Sequence, residues 1–173
     1  FITYGGEASG KTYTLIGNNM TPEDQGLMQR ALKTVIKEKE TRKHDWTFKL
    51  TAAVVEIYND NYTDFLGDQK NNHLPIDSGL EKVYNTLKNV PLDTERDIQA
   101  LLQLCRVKRK MAKTALNPAS SRSHLMTIIR LRGVSHIHGH HFCSFLGLCD
   151  LAGFEDIIKA ETHGNRILTQ EAS

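Results

Sequence analysis

No stretch of this chain could cross a bilayer as a helix, because no run approaches the ~18 consecutive apolar residues that a span needs. Cysteine is scarce. The three residues, Cys105, Cys143 and Cys149, are odd in number and lack C-x-x-C spacing, which argues against a disulfide framework or a zinc ribbon. All three sit in apolar patterns and are expected to be buried free thiols of a reducing compartment. Net charge is nearly absent: 22 Lys+Arg against 20 Asp+Glu leaves +2, too little to argue for a nucleic acid or another polyanion as partner. There is no internal repeat, no low-complexity linker and no secretory leader pattern. With 39% apolar and 24% charged residues in 173, the composition is that of one globular domain.

What is present begins at residue 5. Gly5-Gly6-Glu7-Ala8-Ser9-Gly10-Lys11-Thr12 reads G-x-x-x-x-G-K-[ST], a phosphate-binding loop. Its glycines let the backbone curl so that successive N–H groups face an anion, and Gly10 opens a helix whose positive end faces the same way. Lys11 supplies a point charge for β/γ-phosphates, and the Thr12 hydroxyl can ligate Mg²⁺. Apolar Phe1-Ile2 before the loop suits a strand end, and Tyr13-Thr14-Leu15 can continue a helix.

Two later segments narrow the reading. Asn117-Pro118-Ala119-Ser120-Ser121-Arg122-Ser123-His124 offers hydroxyls for metal and phosphate and an amide to orient water. Asp150-Leu151-Ala152-Gly153-Phe154-Glu155 follows an apolar run. An Asp-x-x-Gly at a strand end suits a γ-phosphate sensor, the Asp near the metal and the Gly N–H open to the terminal phosphate.

In this order the motifs resemble the kinesin motor domain: P-loop, then N-x-x-S-S-R-S-H (switch I), then D-L-A-G-x-E (switch II). Gly26 to Ala31 is similar to G-I-I-P-R-A, and Val55 to Asp60 with Asp64-Phe65-Leu66 is similar to L-E-I-Y-N-E and D-L-L. Arg109 and Thr114 through Asn117 match the approach to switch I. The resemblance runs through all 173 residues. It implies an α/β P-loop NTPase fold with a mixed or mainly parallel central sheet flanked by helices. Such a motor runs to roughly 330–350 residues, longer than most single domains. Residues 1–173 are therefore expected to be a partial motor domain truncated at both ends, without the upstream R-x-R-P and downstream I-N-K-S-L segments.

The resemblance also implies roles. The backbone of Gly6 to Thr12 would cradle the phosphates, with Gly5, Glu7, Ala8, Ser9, Gly10 and Lys11 in the binding set and Tyr13 beside the adenine. Thr12, Ser121 and Asp150 would serve Mg²⁺. Ser120 and Ser121 would close on the γ-phosphate, and Asn117 would place the attacking water. Gly153 would sense the γ-phosphate, and Arg122 and Glu155 would form the ion pair joining the switches. The implied activity is microtubule-stimulated ATP hydrolysis in the complete protein. The fragment alone is expected to be inactive. The implied partner is tubulin in the microtubule cytoskeleton of the cytoplasm, the spindle included, with no nucleic acid and no membrane. Dimerisation would lie in segments outside this chain. The segment Leu87 to Pro91 and the form of switch I lean towards the C-terminal-motor class.

Departures from the pattern motivate an alternative: a kinesin-like microtubule- or partner-binding protein whose pocket no longer hydrolyses. Glu7 stands where the family has Thr, and a carboxylate near a triphosphate repels it. Ala8 replaces Gly or Ser, and its Cβ disfavours positive φ. Phe154 replaces a small Ser after the sensor glycine and is expected to crowd the site.

Periodicity predicts a helix over about 27–40 and a buried strand within 47–58. Short strands and loops are expected over 66–92. A Thr94-x-x-Asp97 capping box should start a helix with Ile98, Leu101, Leu102 and Cys105 on one face. Two strands, 124–132 and 141–149, should flank a turn. The histidines at 136, 138, 140 and 141 are read as a solvated hairpin rather than a metal site. Arg106, Lys108, Arg109 and Lys110 are read as a solvated helix end.

Overall fold

The computed structural model describes residues 1–18, 21–58, 61–67, 70–71, 79–112 and 123–154. Among the described residues, seven strands form one sheet: β1 (Ile2–Thr3), β2 (Trp46–Tyr58), β3 (Asn61–Asp64), β4 (Lys70–Asn71), β5 (Val90–Pro91), β6 (His124–Ser135) and β7 (His141–Asp150). Their order is β1-β7-β6-β2-β3-β4, with β5 also pairing β2. Among the described residues only β1 and β7 run parallel, with Ile2 beside Cys149 and Thr3 beside Asp150. The sheet is therefore mixed, and the mainly parallel alternative does not hold: β2 and β6 pair antiparallel, and a tight turn makes β6 and β7 antiparallel neighbours.

Strand β2 is the spine. Residues 50–55 are buried on both faces, which is why they read as a continuous apolar run rather than an alternation. It pairs β6 over twelve residue pairs, from Trp46↔Ser135 to Ile57↔His124. Side chains alternate between faces with period two. Leu50, Ala52 and Val54 join Leu125, Ile129 and Leu148 on one face, under helices α1 (Lys11–Ile16), α2 (Leu27–Thr41) and α4 (Glu95–Ala112). Ala53, Val55 and Ile128 face the other way, under the short helix α3 (Leu80–Thr86).

Helix α2 docks through Met28, Leu32, Val35 and Ile36, the expected stripe. Helix α4 docks through Ile98, Leu101, Leu102 and Cys105. Its start is the expected capping box. Asp97 N–H donates to Thr94 Oγ1 at 3.3 Å, and Asp97 Oδ2 accepts from Thr94 N–H at 2.7 Å. Helix α3 is a correction to the loop reading of 66–92. Its Tyr84 is fully buried, donates to Thr51 Oγ1 at 2.7 Å and lies under the Arg130 guanidinium at 4.5 Å.

The β6–β7 turn is closed by Ser135 N–H on the His140 carbonyl at 2.8 Å, with Gly139 at φ 63°. His136 pairs with Thr47 Oγ1 and the His44 carbonyl across β2. Among the described residues no group of three or more His, Cys, Asp or Glu could hold a metal. The cysteine expectation is corrected in part. Cys105 is buried and burial pushes its thiol up to about 11, but Cys143 is exposed and Cys149 only half-buried.

Candidate functional site

The loop of residues 5–10 leaves β1 and enters α1 through Gly10, whose φ of 88° requires a residue without Cβ strain. Ala8 also lies in the left-handed region, at φ 58°, and is the one described non-glycine residue to do so. The sequence expected such geometry to disfavour Ala8, and the loop holds it there nonetheless. The first N–H groups of α1 have no intrahelical acceptor, and no side chain caps them. Lys11 folds back over the loop, its ammonium donating to the Gly5 carbonyl at 2.8 Å and to the Gly6 carbonyl.

Next to the loop lies the end of β7. The parallel pairing of β1 with β7 sets Thr3 beside Asp150 and so brings the loop to the Asp-x-x-Gly turn. Asp150 is fully buried. Its Oδ2 accepts from the Thr12 hydroxyl at 2.6 Å and from Arg109 Nε at 3.0 Å, and its Oδ1 accepts from Thr3 Oγ1 at 3.3 Å. Arg109, 6% exposed, also donates to the Asp150 carbonyl, to the Ser123 carbonyl at 2.9 Å and to Ser123 Oγ at 3.3 Å. Ser123 Oγ in turn donates to Glu56 at 2.9 Å. A buried carboxylate is tolerable here because a guanidinium and two hydroxyls converge on it.

The loop, α1, Arg109, Leu151 and Gly153 enclose a cleft of about 210 Å³. Glu7, Ala8, Ser9, Gly10, Lys11, Thr12 and Tyr13 form its wall. Tyr13 is half-exposed, and its hydroxyl donates to Asp24 at 2.6 Å. That bond, then the Asp24 charge, raises the phenol's pKa above its usual value. Gly153 is buried, and Ala152 N–H donates to His124 Nδ1 at 3.1 Å. Burial and then the Arg109 charge lower the His124 pKa, so its neutral form accepts this bond.

Of the residues singled out from sequence, Glu7 to Tyr13 and Gly153 line this cleft, Gly5 and Gly6 touch it through Lys11, and Asp150 lies behind it, bonded to Thr12. Asn117, Ser120, Ser121, Arg122 and Glu155 lie outside the described residues. Phe154 does not crowd the cleft: it is absent from the wall and stacks on Tyr4, ring centroids 5.7 Å apart. The solvated-end reading of α4 is overturned for two of its cations. Arg109 is the buried partner of Asp150, and Arg106 donates to the Ile16 and Gly17 carbonyls that end α1. The signal was available, since position 109 continues the buried stripe 98, 102, 105 at helical spacing. Thr3 and Glu56 carried no such signal, and the motif that contains Ser123 and His124 did not name their partners, because those partners lie far off in sequence.

Comparison with known proteins agrees with this geometry. The family model for the kinesin motor domain matches residues 1–173. The chain is similar to kinesin-like protein KIN-14F of Oryza sativa subsp. japonica (34% identity, 96% of this chain, 17% of that protein). It is also similar to carboxy-terminal kinesin 2 of Xenopus laevis (31%, 96% and 27%). Among solved structures, the motor domain of Saccharomyces cerevisiae Kar3 matches with a TM-score of 0.71 at 26% identity, over 97% of this chain and 52% of that one. A fast kinesin shares the fold with a TM-score of 0.75 at 24% identity, over 88% and 44%. The chain thus spans about a quarter or less of these curated relatives and about half of the solved motors. With the family model covering every residue, the chain belongs to the kinesin motor domain family.

Proposed function

We propose that this chain is the nucleotide-binding part of an ATP-hydrolysing, microtubule-based motor, residues 1–173 forming part of one motor domain. The observation that carries the reading is the meeting of Thr12 and Asp150 at 2.6 Å, from segments 138 residues apart, beside a lysine-bearing loop. A hydroxyl and a carboxylate converging there fit Mg²⁺, which takes hard oxygen ligands. Thr12 and Asp150, with Ser121, would hold the ion, which when bound neutralises charge on the β/γ-oxygens.

The chain's own groups do the rest. Lys11 leaves the Gly5 and Gly6 carbonyls for the phosphates, exchanging neutral acceptors for charged ones. Backbone N–H groups of residues 6–12 cradle the triphosphate, and the Tyr13 ring lies beside the base. Arg109 and Thr3 orient the Asp150 carboxylate. Gly153 offers its N–H to the γ-phosphate. Ser120 and Ser121 close on that phosphate, Asn117 places the water, and the Arg122–Glu155 pair joins the two switches. The partner is the microtubule, and the place of action the cytoplasmic cytoskeleton.

The test is Lys11→Ala in the motor. ATP turnover should fall by roughly 10²-fold or more, since Arg109, the other described cation at the cleft, is held by Asp150 and Ser123. Equal turnover would overturn the reading. The alternative, a kinesin-like binder that does not hydrolyse, retains one supporting observation, Glu7 on the cleft wall. Titrating ATP with and without Mg²⁺ separates the two: Mg²⁺-dependent binding without turnover would favour the alternative.

A further inference from the structure

The opposite end of the sheet carries a second cleft, about 260 Å³, that the nucleotide site does not use. Its floor is aromatic. Phe142 on β7 faces Gly133 on β6, where an added Cβ would sit 2.4 Å from the ring. Glycine at 133 therefore lets the Phe142 ring lie across β6 and reach Phe48 and Trp46 on β2, with centroids 6.3 and 5.6 Å away. Trp46 and Phe48 stack on each other at 5.9 Å. The last turns of α2 form the facing wall, and they bring cations. Lys39 and Arg42 stand at the rim against the single carboxylate Glu38.

Both cations already hold carboxylates at 3.2 Å, Lys39 that of Asp93 and Arg42 that of Glu38. The Arg42–Glu38 pair faces solvent on both sides and costs little to exchange, whereas the Lys39 side chain is largely covered and keeps Asp93. Phe142 lies eight residues before Asp150 on one strand, about 26 Å at the usual rise, so the cleft is separate from the phosphate loop. Its volume is somewhat below the ~300–1,000 Å³ of drug-sized sites, which suits one or two rings.

We propose that this cleft is a binding site for a small aromatic anion, a one- or two-ring aryl carboxylate or sulfonate. Its rings pack on Trp46, Phe48 and Phe142, and its acidic group takes the place of Glu38 on Arg42 and adds to Lys39.

The sequence contains one tryptophan, Trp46, in the cleft floor, so its emission reports occupancy. The probe is 5-(dimethylamino)naphthalene-1-sulfonate, a two-ring sulfonate whose absorption overlaps tryptophan emission, titrated into the full 173-residue chain and into two variants. Arg42→Ala removes the anion's partner on an exposed helix end, and Thr34→Phe places a ring in the cleft mouth. The expected result is saturable one-to-one quenching of Trp46. It should weaken about three- to fivefold in Arg42→Ala and disappear in Thr34→Phe, with both variants keeping the parent's near-ultraviolet circular dichroism. Quenching that does not saturate, dye binding without Trp46 quenching, or equal affinity in the parent and Arg42→Ala would each overturn the proposal. A parent that prefers an uncharged or cationic naphthalene to the sulfonate would overturn the anion assignment.

Discussion

At the scale of single residues, the loop between β1 and α1 holds an alanine where glycine would be unstrained. A Cβ at φ 58° costs roughly 1–2 kcal/mol, partly offset by the greater freedom glycine has in the unfolded chain. Ala8→Gly should therefore stabilise the chain by up to about 1 kcal/mol, read as a higher denaturant midpoint at unchanged slope. An unchanged or lower midpoint would mean the loop does not strain Ala8. Glu7 bears on the proposed ligand. It lies on the cleft wall, so Glu7→Thr should tighten ATP binding, most clearly at low salt where repulsion is least screened. Isothermal titration at two salt concentrations checks this, and equal affinities would show that the carboxylate points clear of the phosphates. These residues were legible because a phosphate loop fixes residue types at fixed spacing. Arg109 was harder to read. Four cations within five positions look like a solvated helix end until one of them is seen to continue a buried stripe.

Elements show the same contrast. Helix α2 and strand β2 were plain from periodicity, since each has an apolar face or run long enough to outweigh its polar residues. Helix α3 carries Leu80, Val83, Tyr84 and Leu87 at helical spacing, yet it spans seven residues between Gly79 and Pro91. Turn residues so close at both ends hid the pattern. Helix α4 depends on its cap, and Thr94→Ala should cost about 1 kcal/mol of stability, measurable by chemical denaturation. A loss near zero would mean Asp97 alone caps the helix.

Strand β6 begins with His124, which accepts from Ala152 N–H only when neutral. Its pKa is lower in the fold than in the unfolded chain, so the unfolded state binds more protons in the window just below the usual histidine value. The contribution is thus complete above about pH 6.5 and is lost as the pH falls through the folded pKa. Stability should fall on going from pH 7 to 5, and His124→Gln, which does not titrate there, should show a shallower fall. Parallel pH profiles for the two proteins would contradict this.

For the whole molecule, strand order was the least legible feature. Pairing β1 with β7 joins residues 147 apart, and the local pattern of neither strand names its partner. The consequence is visible at that edge. Phe1, Ile2 and Tyr4 are 58%, 62% and 73% exposed, an apolar margin on the outermost described strand. Such an edge invites pairing with another chain. The 173-residue chain should self-associate with rising concentration, and Ile2→Lys should suppress this. Sedimentation velocity checks both, and a monomer at all concentrations would show that the margin is covered.

Arg109 has one more effect. It sits three residues before the end of α4 and holds Ser123, the residue before β6, through one guanidinium nitrogen. The peptide between them leaves and returns at the same side chain, so the chord of this excursion is set in advance. The entropy of closing that chord, a cost that grows only with the logarithm of length, is met by this one contact. Because the same guanidinium also holds the Asp150 carboxylate, a change at Arg109 would release the start of β6 and strip the carboxylate of its cation together.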